Sequence, residues 1–202
     1  MESFSKSHGL FWTKLEESNS ERVVINTGAI YDSQNKLYKL TVINETYVID
    51  PVKRIIVNEY TNQEESDFEL KVVILVYLTL AESPELSGEF VTEQMLPLGT
   101  LFFKGLHSLP KEKIINKFNN DIVKLRQKCL QLGAKEISSN GDLGMEFYLL
   151  PRFPMRMVYW KSDEEFPADI MFYFDKYADR FLYLDTILCI IKIFVKKLLS
   201  DT

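Results

Sequence analysis

Apolar positions along this chain recur in two rhythms, one near 3.6 residues and one near two, and their alternation predicts mixed helix and strand. Residues 10–17 place Leu10, Phe11 and Leu15 on one side and Lys14, Glu16 and Glu17 on the other, the spacing of a short amphipathic helix. After a Ser-Asn-Ser break, Val23, Val24 and Ile25 lead to the Thr27-Gly28 stop and fit a second helix or a strand equally. From Lys36 the period shortens. Residues 36–43, 46–49 and 54–57 are β-branched and aromatic runs parted by Asn44-Glu45 and Asp50-Pro51, which predicts a small antiparallel meander over 36–58.

Residues 70–80 are apolar nearly all round and follow Ser66 and Glu69 at capping-box spacing, so they predict a buried helix that stops at Ser83-Pro84. A short strand over 88–92 and a turn at 97–100 come next. The spacing of Ile114, Ile115, Phe118, Ile122, Leu125, Cys129 and Leu132 predicts one helix over 110–132, with Pro110 in its first turn and Gly133 as its C-terminal cap. Three strands follow, over 145–150, 152–161 and 170–174, and then an amphipathic helix over 184–200. The fold class is α+β: antiparallel sheet or sheets packed with about four to five helices. No repeat or long linker divides the chain, so residues 1–202 are expected to form a single compact domain.

Composition narrows the functional classes. Apolar residues at 46% and aromatics at 13% supply a core without staples, and a net charge of -5 argues against a nucleic-acid surface, which needs clustered Lys and Arg. Cys129 and Cys189 fall in apolar helical patterns and read as buried thiols, which favours a reducing, cytoplasmic setting. With His8 and His107 isolated and no Cys-x-x-Cys present, neither a metal nor a cofactor motif is expected. The N-terminal residues lack the order of a secretory signal, and the apolar run over 187–195 carries Lys192 and is too short to span a bilayer, so no membrane association is expected.

Candidate chemistry concentrates in one loop. If the strands over 152–161 and 170–174 pair as a hairpin, their connection holds Asp163, Glu164 and Glu165 in succession, then Phe166-Pro167, with Asp169 at the start of the return strand and Asp175 past its end. Crowded carboxylates suit acid/base work or a hard cation, although neighbours in an extended segment point to opposite faces and at most two of the three converge. The plainer expectation is a solvated acidic turn in which Asp163 bonds its own loop and Phe166 tucks into the core. Arg152 and Arg156 share a strand face with Trp160 and are the expected ion-pair partners of these acids, while Trp160 and Tyr159 read as core and rim residues. Gly141-Asp142-Leu143-Gly144 fits a tight turn better than a phosphate cradle.

The string Leu150-Pro151-x-Phe153-Pro154, followed by Trp160-x-x-Asp163-Glu164-Glu165-Phe166-Pro167-Ala168 and Phe174-Asp175, resembles a family catalogued as domain of unknown function 3786. Gly88-Glu89-Phe90-Val91 and Pro97-Leu98-Gly99 resemble it too. The resemblance implies an occurrence in anaerobic bacteria and archaea and, from relatives that join a cysteine-rich iron–sulfur module, a link to anaerobic redox or one-carbon metabolism; this chain has no such module. Two readings follow. The first is an accessory protein that binds a protein partner or small-molecule ligand through the acidic hairpin 162–169, where seven acidic residues against three basic ones between Lys161 and Asp185 would steer a basic partner. The second is an enzyme using the Asp163, Glu164 and Glu165 carboxylates, with Arg152 or Arg156 holding an anionic substrate. A subunit that only completes an oligomer is a third. The absence of a nucleophile motif or histidine base favours the first.

Overall fold

In the computed structural model, which describes residues 2–82 and 85–200, seven helices pack with two antiparallel sheets among the described residues. The first sheet is the expected meander, β2 (Leu37–Val42), β3 (Glu45–Asp50) and β4 (Ile55–Asn58), extended at its edge by β1 (Ile30–Asp32), which is too short to announce itself as a pattern. The second runs in the order β5-β9-β8-β7-β6: β5 (Phe90–Thr92), β9 (Asp169–Asp175), β8 (Phe153–Trp160), β7 (Leu143–Leu150) and the two-residue β6 (Lys135–Glu136). A register shift between Tyr148 and Leu150 leaves the Leu149 carbonyl outside the β7–β8 ladder, and the backbone N–H of Ile43 donates to it at 2.8 Å. That bond joins the two sheets. It comes from the tight turn between β2 and β3, where Ile43 holds a left-handed φ of 61°.

The buried residues form one core. Its centre is α3 (Phe68–Leu80), enclosed by α1 (Glu2–Glu17), α2 (Ser20–Thr27) and α7 (Leu184–Leu199). No polar stripe runs along α3; Leu70 and every residue from Val72 to Leu78 are buried. The Tyr77 hydroxyl needs partners at that depth, donating to the Thr27 carbonyl at 2.8 Å and accepting the Arg152 N–H at 3.0 Å. On the opposite side α7 lays Phe194 against Phe147 and Phe172 of the second sheet.

Several expectations shift. The helix expected over 110–132 is two, α5 (Lys111–Phe118) and α6 (Ile122–Gln131), because Asn119 and Asn120 both take positive φ, 42° and 67°, which asparagine tolerates better than most residues. Asp121, itself exposed, caps α6 by accepting the Lys124 N–H at 2.9 Å. Gly133 ends α6 as expected: its left-handed φ of 83° allows the paired bonds Gly133 N–H to Leu130 O and Ala134 N–H to Cys129 O. The N-cap of α3 is Asp67 rather than Ser66; its carboxylate accepts the N–H groups of Glu69 and Leu70 and sits favourably on the helix dipole. Trp12 and Leu15 form the buried side of α1, whereas Leu10 faces outward. The open segment after Asn19 is helix α2, and the turn near Gly99 contains the four-residue α4 (Gly99–Phe102). The Ser83-Pro84 stop lies outside the described residues.

Candidate functional site

β8 and β9 do form a hairpin, with Trp160 opposite Asp169, and the acidic loop is its connection. The loop closes on itself. Asp163 donates its N–H to the Phe166 carbonyl at 2.9 Å, and its Oδ1 accepts from Phe166 N–H at 2.7 Å and Glu165 N–H at 2.9 Å. These bonds, Phe166 first, hold the Asp163 carboxyl below its ordinary pKa. Asp163, Glu164 and Glu165 are all exposed. Phe166 departs from expectation. Its ring is 66% exposed rather than tucked into the core, because the Asp163 turn fixes the backbone of residues 163–166 outside the sheet.

The base of the loop is clamped from the α5–α6 break. Asn120 accepts the Ser162 N–H at 3.0 Å through Oδ1 and donates from Nδ2 to Ser162 Oγ at 2.6 Å, while its own N–H donates to the buried Tyr159 hydroxyl at 3.2 Å. The left-handed φ that ends α5 is thus what turns Asn120 toward the hairpin. On the other side, Asp142 accepts the Lys161 N–H at 2.8 Å and Trp160 donates its indole N–H to Asn140 O at 3.2 Å. Gly141 lies so close to β8 that a Cβ there would come 2.7 Å from the Tyr159 carbonyl. The Gly-Asp-Leu-Gly stretch is therefore a packed turn that braces the hairpin.

The remaining candidates part company with the loop. Arg156 pairs with Glu146, its cross-strand neighbour on β7, at 2.8 Å, and its guanidinium stacks 3.7 Å over the Phe90 ring. Arg152 lies in the β7–β8 turn beside Gly28, at the opposite end of β8 from the acids. Neither arginine is an ion-pair partner of the acidic loop. Asp175 sits at the far end of β9, about 20 Å from Asp169 by strand rise, and is 1% exposed. It accepts from Ser87 N–H, Ser87 Oγ, Gly88 N–H and Tyr177 N–H, at 2.9–3.0 Å. Its work is to tie the chain entering β5 to the chain leaving β9. Among the described residues no three His, Cys, Asp or Glu side chains converge in a way that could hold a metal ion. Burial raises the Cys129 thiol to about 12 and the half-buried Cys189 thiol to about 11, so both are poor nucleophiles.

A second feature was not legible beforehand: a cleft of about 610 Å³ between the meander, the start of α3 and the ends of α6 and α7. One wall offers Glu45, Glu65 and Asp67, the other Lys128, Lys196 and Lys197. Burial raises the Glu45 pKa, but hydrogen bonds from Lys197, Tyr47 and Asn58 together win and hold it below the usual value. Burial and that same carboxylate raise the Tyr47 phenol. Asp67 pairs with Lys196 at 3.6 Å. The two pairs fasten α7 across the cleft. These residues lie in four separate segments, which is why no local motif betrays them.

No curated protein and no solved structure matches the chain. The model of one family, described as a domain of unknown function (DUF3786), matches residues 19–197, and the chain belongs to that family.

Proposed function

We propose that this chain is a cytoplasmic accessory protein of anaerobic metabolism that acts by holding a protein partner at the acidic hairpin, not by chemistry at its carboxylates. The observation that carries the reading is Phe166: an exposed aromatic ring on a turn closed by its own hydrogen bonds, with three exposed carboxylates beside it. An acid/base pair needs a cleft that excludes water and perturbs a carboxyl upward. Asp163 is shifted the other way. An aromatic anchor with a charged rim is instead the composition of a binding surface, in which the ring supplies buried area and the carboxylates steer approach. The metabolic setting rests on the family resemblance alone.

Native mass spectrometry with elemental analysis tests the reading, on protein purified without chelator beside the Asp163→Asn, Glu164→Gln, Glu165→Gln variant. Both proteins are expected to show the apo mass. A photoreactive residue at position 166 in host cells should then capture one partner whose purified complex weakens with salt and in the triple variant. A stoichiometric metal present in the parent and lost in the folded variant would reverse the assignment in favour of an enzyme.

A further inference from the structure

The cleft between the meander, α3, α6 and α7 segregates charge because three helix ends meet there. Lys128 lies in the last turn of α6 and Lys196 and Lys197 in the last turn of α7, where the dipole favours cations, while Asp67 caps the start of α3. Glu45 and Glu65 join Asp67 in the lining. Burial first, and then the charges of both glutamates, raise the buried Tyr47 phenol, so the two carboxylates lie near one hydroxyl. Three carboxylates and three ammonium groups leave the lining with no net charge. Its apolar part is Leu70 and Ile193, both buried, with Leu132 half-buried beside them. A volume of about 610 Å³ with a few polar groups converging on an apolar floor suits a small molecule.

The charges are not equally committed. Glu45 takes Lys197, the Tyr47 hydroxyl at 2.6 Å and Asn58 Nδ2 at 3.1 Å, and is well supplied with donors. Glu65 accepts the Asp67 N–H at 2.7 Å, which fixes its carboxylate while using one of about four lone-pair sites. Lys196 is loosely held: its Nζ lies 3.6 Å from Asp67 and its side chain is 80% exposed, a pair that yields at little cost. Asp67 thus brings the two together, giving its N–H to Glu65 and its carboxylate to Lys196. We infer that the cleft binds a zwitterion of the α-amino-acid type, with its ammonium on Glu65, its carboxylate on Lys196 and an apolar side chain on the floor of Leu70, Leu132 and Ile193. Charge selects this class. A simple anion would meet the three carboxylates and a simple cation the three lysines, whereas a molecule with both signs close together answers each. The cleft shares no residue with the acidic hairpin, so this site stands or falls without it.

Isothermal titration of the full chain tests the assignment. The probes are leucine, valine, methionine and phenylalanine, each beside the amine that lacks its carboxylate and the acid that lacks its ammonium. At least one amino acid is expected to bind with a Kd below about 1 mM, and its two single-charge analogues at least about tenfold more weakly. Glu65→Gln keeps the oxygen that accepts the Asp67 N–H, and Lys196→Met keeps the aliphatic stem of an exposed side chain. Each variant should lose about tenfold in affinity for the amino acid with an unchanged melting temperature. Glu65→Gln should also abolish the preference for the amino acid over the acid, and Lys196→Met the preference over the amine. No binding by any of the four amino acids, equal binding of a single-charge analogue to the parent, or full affinity in both folded variants would each overturn the site.

Discussion

The two ends of β9 carry aspartates that look alike in the sequence and live differently in the fold. Asp175, at one end, is almost fully buried and collects four donors from three residues, two of them nearly ninety positions away. Asp163, before the other end, is exposed and collects two donors from its own loop. Both satisfy backbone N–H groups, but the first closes a long-range joint and the second only a turn. A carboxylate's role is set by which donors reach it, and crowding of acids along the chain says little about that.

The comparison breaks most visibly at Asp175. Asp175→Ala removes a buried acceptor and leaves the Ser87, Gly88 and Tyr177 N–H groups without it in a partly buried site, which should cost about 2–3 kcal/mol. Urea denaturation should show the midpoint falling with the slope unchanged. A loss no larger than that of an exposed substitution would mean water replaces the carboxylate and the joint is dispensable.

The clamp under the hairpin ranks next. Asn120→Ala removes the side-chain bonds to Ser162 and the acceptor for the Tyr159 hydroxyl and places alanine at a φ of 67°, so about 1–2 kcal/mol is expected, with Asn120→Gly recovering the backbone part and not the hydrogen bonds. Hydrogen exchange should quicken in residues 162–168 ahead of the rest of the sheet. Protection unchanged in that loop would show that the Asp163 turn holds it without the clamp.

These positions also show what the sequence could carry. The β7–β8–β9 strands, α7 and the buried character of α3 were legible because long runs repeat at the period of their element, and the hairpin followed from two adjacent strands with a polar gap. The break at Asn119-Asn120 was hidden because Ile114, Phe118, Ile122 and Leu125 keep helical spacing across it; only the asparagine pair signals a left-handed step. Pairing was hidden altogether. Arg156 turns to Glu146 because an antiparallel register puts them opposite one another, and Asp175 reaches Ser87 because β5 joins the edge of β9; neither relation exists before the sheet forms. Phe166 was misread because a phenylalanine before proline fits a core plug as well as a displayed ring, and the Asp163 turn decides between them.

The smallest effect is the one that isolates the turn. With backbone donors from Phe166 and Glu165 bound to its carboxylate, Asp163 has a folded pKa below the unfolded one, near 3.9. The folded state then binds its proton less readily than the unfolded state, so the group's contribution is present above the unfolded pKa and is lost as pH falls through the folded value. At neutral pH, Asp163→Asn should leave global melting nearly unchanged, because the loop's bonds join no distant segments. Carboxyl carbon NMR should show Asp163 titrating below the free-aspartate value, with the Glu165 and Phe166 amide shifts following the same curve. Titration at the ordinary value would mean the loop is open in solution, and Phe166 would then be presented by a flexible segment that must be ordered on binding at a cost in affinity.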